Sequence, residues 1–231
     1  MADAETAPVG LAARITTWMA ENRGALDELM TQEGSRAIHE EFIAAEGGVL
    51  PTRTERVERA RRASTRAWLR HFGRGLAHSW DGQDVELGDR IERWMNANGE
   101  RREALVFDEE QVLEKRGRSG DPEGDERTIA LAAQRRFFAE AVAASAEGLE
   151  VEPPAFSRSV GEWCRANQGR LEEIQLEALS AAPGVDGNAT QEMELLWERS
   201  PEVARAVEAA IVWANLRFLA EALEKALAGT S

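Results

Sequence analysis

Eight arginines crowd residues 53–74: Arg53, Arg56, Arg59, Arg61, Arg62, Arg66, Arg70 and Arg74, against Glu55 and Glu58. The stretch carries 8 − 2 = +6 in a chain whose net charge is −14, leaving −20 elsewhere. Arg62, Arg66, Arg70 and Arg74 step by four, so on a helix they form one ridge along one face. Trp68, His71, Phe72 and His78 are interleaved with them. A planar guanidinium fork grips phosphate or carboxylate two bonds at a time, and neighbouring aromatics can stack on bases. Arg59, Arg62, Arg66, Arg70, Arg74 and Trp68 are therefore the candidate binding residues, for phosphate, RNA, DNA or an acidic partner helix. The competing reading is that the ridge packs on the protein's own acidic helices, such as those bearing Glu109-Glu110 or Glu172-Glu173.

Within that stretch, Arg66 and His71 are separated by four residues. The pair resembles the Arg-x4–6-His motif of HEPN-type ribonucleases, which are helical and act as dimers. The resemblance implies Arg66 and His71 as catalytic residues, with Ala67 where that family usually carries a polar side chain. Other catalytic equipment is sparse. The histidines are His39, His71 and His78, and none has a glutamate three residues earlier, as a di-iron bundle requires. Zinc patterns, a P-loop, a Gly-x-Gly-x-x-Gly turn and a Gly-x-Ser-x-Gly elbow are all missing from the sequence. Glu110 and Glu114, or Glu173 and Glu177, stand four apart and could flank a metal, but a solvated helix face is the expected use. Cys164, one residue past Trp163, is expected to be packed and inert. No metal and no cofactor is expected, and no catalytic residue beyond the resemblance.

The framework that must position these residues is a repeat, which should be sought before any single motif. One copy reads Val9-x-Leu11-x-x-Arg14-Ile15-x-x-Trp18-Met19-x-x-Asn22, and a second reads Val85-x-Leu87-x-x-Arg90-Ile91-x-x-Trp94-Met95-x-x-Asn98. A looser third holds Phe156, Val160, Trp163 and Asn167 in the same places, and Gly24, Gly99 and Gly169 follow the three asparagines. Such a glycine either lets a neighbouring helix approach closely or ends a short first helix with asparagine near the cap. At about 100° per residue, Leu11, Ile15, Trp18, Asn22, Leu26 and Leu29 fall within roughly 80° of arc. That is a core-facing stripe containing one amide. The third copy repeats it through Leu171 and Ile174, while the second departs at Arg102 and recovers at Leu105. Each copy continues to a Gly/Pro-rich break and a second helix, whose end shows a weaker likeness: Arg70-His71-Phe72, Arg136-Phe137-Phe138 and Arg217-Phe218-Leu219.

The expected fold is all-α, three repeated long helical hairpins in a bundle or a short α-solenoid. About six main helices are expected, roughly 10–45, 54–79, 87–116, 125–148, 156–181 and 201–228, the first breaking near Gly34, with a short extra helix near 190–199. The expected organisation is a flexible tail 1–8 and repeats 9–84, 85–150 and 151–231, packed as one domain. Trp18, Trp94 and Trp163, with Asn22, Asn98 and Asn167, admit two readings. They line a repeated groove, or tryptophan fills the hairpin core while the amide bonds a nearby helix end and fixes register.

Composition narrows the function. The chain has 231 residues, 43% of them hydrophobic, enough for a sizeable core. Its acidity argues against wholesale binding to nucleic acid or anionic membrane. No apolar run reaches the roughly 18 residues of a membrane span, and a single cysteine excludes an internal disulfide, in keeping with a cytoplasmic setting. The expectation is a non-enzymatic helical repeat protein that binds another macromolecule, first of all a protein, as an adaptor, chaperone, inhibitor or assembly subunit. The alternative is an RNA- or DNA-contacting subunit that uses the Arg62–Arg74 ridge.

Overall fold

Local chemistry sets the helix ends. In the computed structural model, which describes residues 10–46, 52–80, 86–182 and 200–229, a capping box opens the arginine-rich helix. The Glu55 N–H donates to the Thr52 hydroxyl (3.2 Å), and the Thr52 N–H donates to the Glu55 carboxylate (2.7 Å). Proline opens three further helices at Pro122, Pro153 and Pro201, where its missing N–H has no intrahelical partner to lose. Gly117, at φ 92°, ends another in a conformation that side chains resist.

Nine helices result among the described residues: α1 Leu11–Glu21, α2 Arg23–Glu46, α3 Arg53–Ser79, α4 Leu87–Ala97, α5 Gly99–Arg116, α6 Pro122–Ser145, α7 Pro153–Ala166, α8 Gln168–Ser180 and α9 Pro201–Ala228. No strand occurs among them, and no helix there is long and apolar enough to cross a membrane. The expected tail 1–8, the glycine- and proline-rich loops at 47–51 and 183–187 and the expected short helix at 190–199 lie outside the described residues.

The long first helices expected at 10–45, 87–116 and 156–181 are each broken once, at Asn22, Asn98 and Asn167. Gly34, the expected break point, lies inside α2. At each break the asparagine Nδ2 donates to the carbonyl of the tryptophan four residues back, at 2.8, 2.7 and 2.8 Å. At Asn22 and Asn167 that carbonyl also accepts the asparagine's own N–H, at 3.0 and 3.1 Å, so the side chain adds a second bond at the end of the helix. The three asparagines take nearly one conformation (φ −107°, ψ 32°; −119°, 37°; −118°, 32°). The next helix then restarts from the asparagine carbonyl, which accepts the N–H three residues on at 3.0 Å in each case. The apolar stripe crosses the break: Leu26, Leu29, Leu105, Leu171 and Ile174 are buried, as are Ile15, Ile91 and Val160 ahead of it. Arg102, where the second stripe departs, is exposed.

Asn98→Ala removes this back-bond and substitutes a strong helix former at the break. It is expected to destabilise the fold by about 1 kcal/mol, read by urea denaturation. A gain in stability would show that the interruption serves no packing need.

The helices form two compact units, Met1–Glu92 and Arg93–Ser231, the division falling inside α4. In the first, α1 and α2 pack along α3, closing over Ile15, Met19, Leu29, Phe72 and Leu76, and Leu87 and Ile91 of α4 are also buried. Burial of each such side chain is worth roughly 1.5–3 kcal/mol. In the second unit, α5 packs on α6, α6 on α7, and both α7 and α8 on α9. Phe138, Phe218, Ile174 and Leu223 are fully or almost fully enclosed there, and Trp94 and Met95 lean on a cluster of Leu105, Ala133 and Phe137. Gly161 of α7 matters to this packing. A Cβ there would meet Cδ of Arg136 at 2.9 Å, so the bare glycine lets that long side chain cross α7.

Candidate functional site

The arginine ridge lies on α3, and its middle is turned inward. Arg66 Nε donates to Glu33 Oε2 at 2.7 Å, and Arg70 Nη1 donates to Glu33 Oε1 at 3.0 Å. Arg70 also reaches Glu92 through Nε at 2.8 Å. Glu33 is only 2% exposed, so both its oxygens are used within the fold. Burial works to raise its pKa, but the hydrogen bonds and charges of Arg66 and then Arg70 hold it below the ordinary carboxylate value. Arg59 and Trp68 are half-buried, Arg74 is exposed, and the side chain of Arg62 lies outside the described residues. Among the described residues the acids that meet the ridge are Glu33 and Glu92. Glu109 is taken by Arg136 and Arg165, and Glu173 by Arg170.

The Arg-aromatic likeness of the second helices has the same physical content. Arg136 Nη1 bonds Glu109 at 2.8 Å, and Arg217 Nη1 bonds Glu177 at 2.8 Å, as Arg70 bonds Glu33. Counted from the preceding tryptophan, the acids lie at 33 − 18 = 15, 109 − 94 = 15 and 177 − 163 = 14. A second pair recurs in two of the three. Arg101 forks onto Glu140 at 2.8 and 2.7 Å, and Arg170 onto Glu221 at 3.1 and 3.0 Å. The corresponding places in the first unit hold Ala25 and Arg74. Arg74 therefore stands where the others have a glutamate, and it makes no ion pair among the described residues.

Each tryptophan tilts onto the aromatic side chain that follows this arginine. Ring centroids are 5.2 Å apart for Trp18–His71, 5.4 Å for Trp94–Phe137 and 5.1 Å for Trp163–Phe218, at interplanar angles of 40°, 46° and 42°. The three tryptophans are half-buried and lie over rings that are buried, and the Nδ2 donors of Asn22, Asn98 and Asn167 are occupied by the tryptophan carbonyls.

His71 is the polar exception among the three ring partners. It is fully buried, with Nε2 3.2 Å from the Met19 carbonyl and Nδ1 without a partner among the described residues. Burial pulls its pKa below the ordinary imidazole value, the Met19 carbonyl opposes this, and the charge of Arg74 adds to the lowering. Arg66 is held by Glu33 while His71 lies under Trp18, so the two residues of the Arg-x4-His pair face different surroundings.

The remaining chemistry is closed. Cys164 is buried, and its thiol is pushed up to about 11, chiefly by burial and against the nearby charges of Arg135 and Arg165. Glu110 and Glu114 both bond Arg118, at 3.2 and 3.4 Å. Among the described residues no cluster of three His, Cys, Asp or Glu side chains is arranged for a metal ion. Comparison with protein-family models, curated proteins and solved structures finds no match. Function must therefore be argued from the side chains alone. Sequence reasoning overlooked the anchoring role of Glu33, although its distance from Trp18, repeated at Glu109, was a signal already present.

Proposed function

We propose that this chain is a non-catalytic helical repeat protein, three copies of one hairpin (9–84, 85–150 and 151–231), that binds another protein in the cytoplasm. The threefold Trp–Asn back-bond, the threefold ring pair and the threefold Arg–Glu pair support the repeat. The observation that carries the binding role is a pair of exposed apolar side chains at one repeat position. Phe107 of α5 and Leu176 of α8 each lie 13 residues after their tryptophan (107 − 94; 176 − 163) and are 61% and 67% exposed. In the first copy, Met30 stands exposed one place earlier. Glu103, Glu110 and Glu114 share the helical face of Phe107, and Glu172 and Glu173 flank Leu176. Apolar anchors set among acids suit a basic amphipathic segment of a partner.

The test is affinity capture from the source cells, with and without nuclease, using wild type and the Phe107→Ser, Leu176→Ser double variant. The expected result is a defined protein retained after nuclease treatment and reduced at least about tenfold, a loss of roughly 1.4 kcal/mol, by the double variant. Material released by nuclease, and lost instead on Arg74→Glu, would overturn this reading in favour of the nucleic-acid alternative. With Arg66 and Arg70 held by carboxylates, that alternative rests on Arg59, Arg62 and Arg74.

A further inference from the structure

Arg135 of α6 is 8% exposed, yet no carboxylate pairs with it among the described residues. The position does not demand a cation. Aligned on Arg70, Arg136 and Arg217, it corresponds to Leu69 and Leu216, and Leu216 is buried. The guanidinium lies 5.2 Å from the centre of the Phe218 ring and donates through Nη2 to Asn215 Oδ1. Asn215 is itself held by its Nδ2 bond to the Ile211 carbonyl at 2.8 Å, so its oxygen is fixed toward the arginine. The neighbouring Cys164 keeps its proton and supplies no counter-charge.

The other buried charges fare differently. Glu33, Glu109, Glu140 and Arg136 each meet an opposite charge, and Asp125 accepts both the N–H and the hydroxyl of Ser119 near the start of α6. A buried arginine does not escape by losing its proton, and none of the Arg135 nitrogens is among the fully enclosed atoms without a partner, so the free donors keep access to the surface. Of five guanidinium donors, one is used by Asn215.

We propose that Arg135, oriented by Asn215 and backed by the Phe218 ring, forms an oxyanion site that takes a carboxylate- or phosphate-bearing small ligand. The donors that Asn215 leaves free form a planar fork matched to two oxygens of such a group. The ring face contributes a cation–π contact that keeps the guanidinium in place when the site is empty. The site is independent of the acidic, apolar surface proposed above for a protein partner.

Thermal unfolding of the full chain in inorganic phosphate, acetate or chloride, at fixed pH and ionic strength, tests this. Wild type is expected to gain about 3 °C or more at roughly ten times the half-saturating concentration of phosphate or acetate over chloride. Which anion acts at lower concentration names the source, phosphate or carboxylate. Arg135→Leu, the residue type found at the two corresponding positions, is expected to lose that gain. As a second readout, the Arg135 Nε–H resonance of wild type, assigned by its absence in Arg135→Lys, is expected to move with the effective anion. An equal anion response in wild type and Arg135→Leu overturns the proposal. If Arg135→Leu does not fold, an Nε–H resonance that ignores both anions overturns it.

Discussion

Glu109→Ala is expected to destabilise the second unit by about 3–5 kcal/mol, the cost of removing one partner from a buried ion pair. Glu109 is 4% exposed and holds Arg136 at 2.8 Å and Arg165 at 3.0 Å, both well shielded from water. Three helices meet at this carboxylate: α5 supplies it, α6 supplies Arg136 and α7 supplies Arg165. Without it, Arg136 keeps a long contact of 3.5 Å to Asp108 and a weak one of 3.4 Å to Ser157, and Arg165 has no carboxylate within reach among the described residues. Glu109→Gln keeps the shape and loses the charge, and should recover only part of the deficit. Converting Glu109, Arg136 and Arg165 together to leucine, methionine and leucine should recover more, because apolar packing often equals a buried charge cluster in stability. Urea denaturation measures all three. A loss below about 1 kcal/mol for Glu109→Ala would place the cluster with solvent-screened surface pairs.

The second large effect concerns pH. His71→Phe installs the side-chain type that Trp94 and Trp163 meet at Phe137 and Phe218, and removes a buried nitrogen that has no partner among the described residues. An unsatisfied buried polar group costs about 1–3 kcal/mol, so the variant is expected to be more stable than wild type at pH 8. The sign below neutrality follows from linkage. The folded pKa of His71 is lowered, so the unfolded chain binds the proton more readily than the native one. Its contribution to stability is present above the unfolded value of about 6.5 and is lost as pH falls through it toward the folded value, by up to about 1.4 kcal/mol per pH unit. The stability gap between variant and wild type should therefore widen from pH 8 to pH 5. His39 and His78 are common to both proteins and cancel in the comparison. A constant gap across that range would show that His71 is protonated without penalty in the native state.

The stripes were legible because helical periodicity is local. Every residue assigned to the continuation past a break, Leu26, Leu29, Leu105, Leu171 and Ile174, is buried, and the one departure, Arg102, is exposed. The recurrence of Trp and Asn at a spacing of four was equally plain, and that spacing is what allows the side-chain amide to reach the carbonyl one turn back. Gly34 is an ordinary helical residue, and the interruption falls instead at the asparagines, one of the two places the sequence offered, since a glycine follows each of them.

Charge pairing was not legible in the same way. Ten of twenty-two residues in a row being charged says that a helix is polar, but not which of its faces meets another helix. Arg70 and Arg74 belong to one ridge by spacing, yet one is gripped by Glu33 and Glu92 and the other is exposed. Arg135 and Arg136 are adjacent, and one finds a carboxylate while the other finds an asparagine and a ring. The difference is interhelical register. Glu33 meets Arg66 across 33 residues and Glu109 meets Arg165 across 56, and such distances are set by how whole helices dock. Helix, stripe and tryptophan–asparagine bond follow from neighbours within a turn or two, and so could be read along the chain. The burial of His71, the anchoring by Glu33 and Glu109 and the placing of Arg135 against Asn215 and Phe218 follow from packing between helices, because a charge or a ring nitrogen is costly or harmless only according to what lies opposite it.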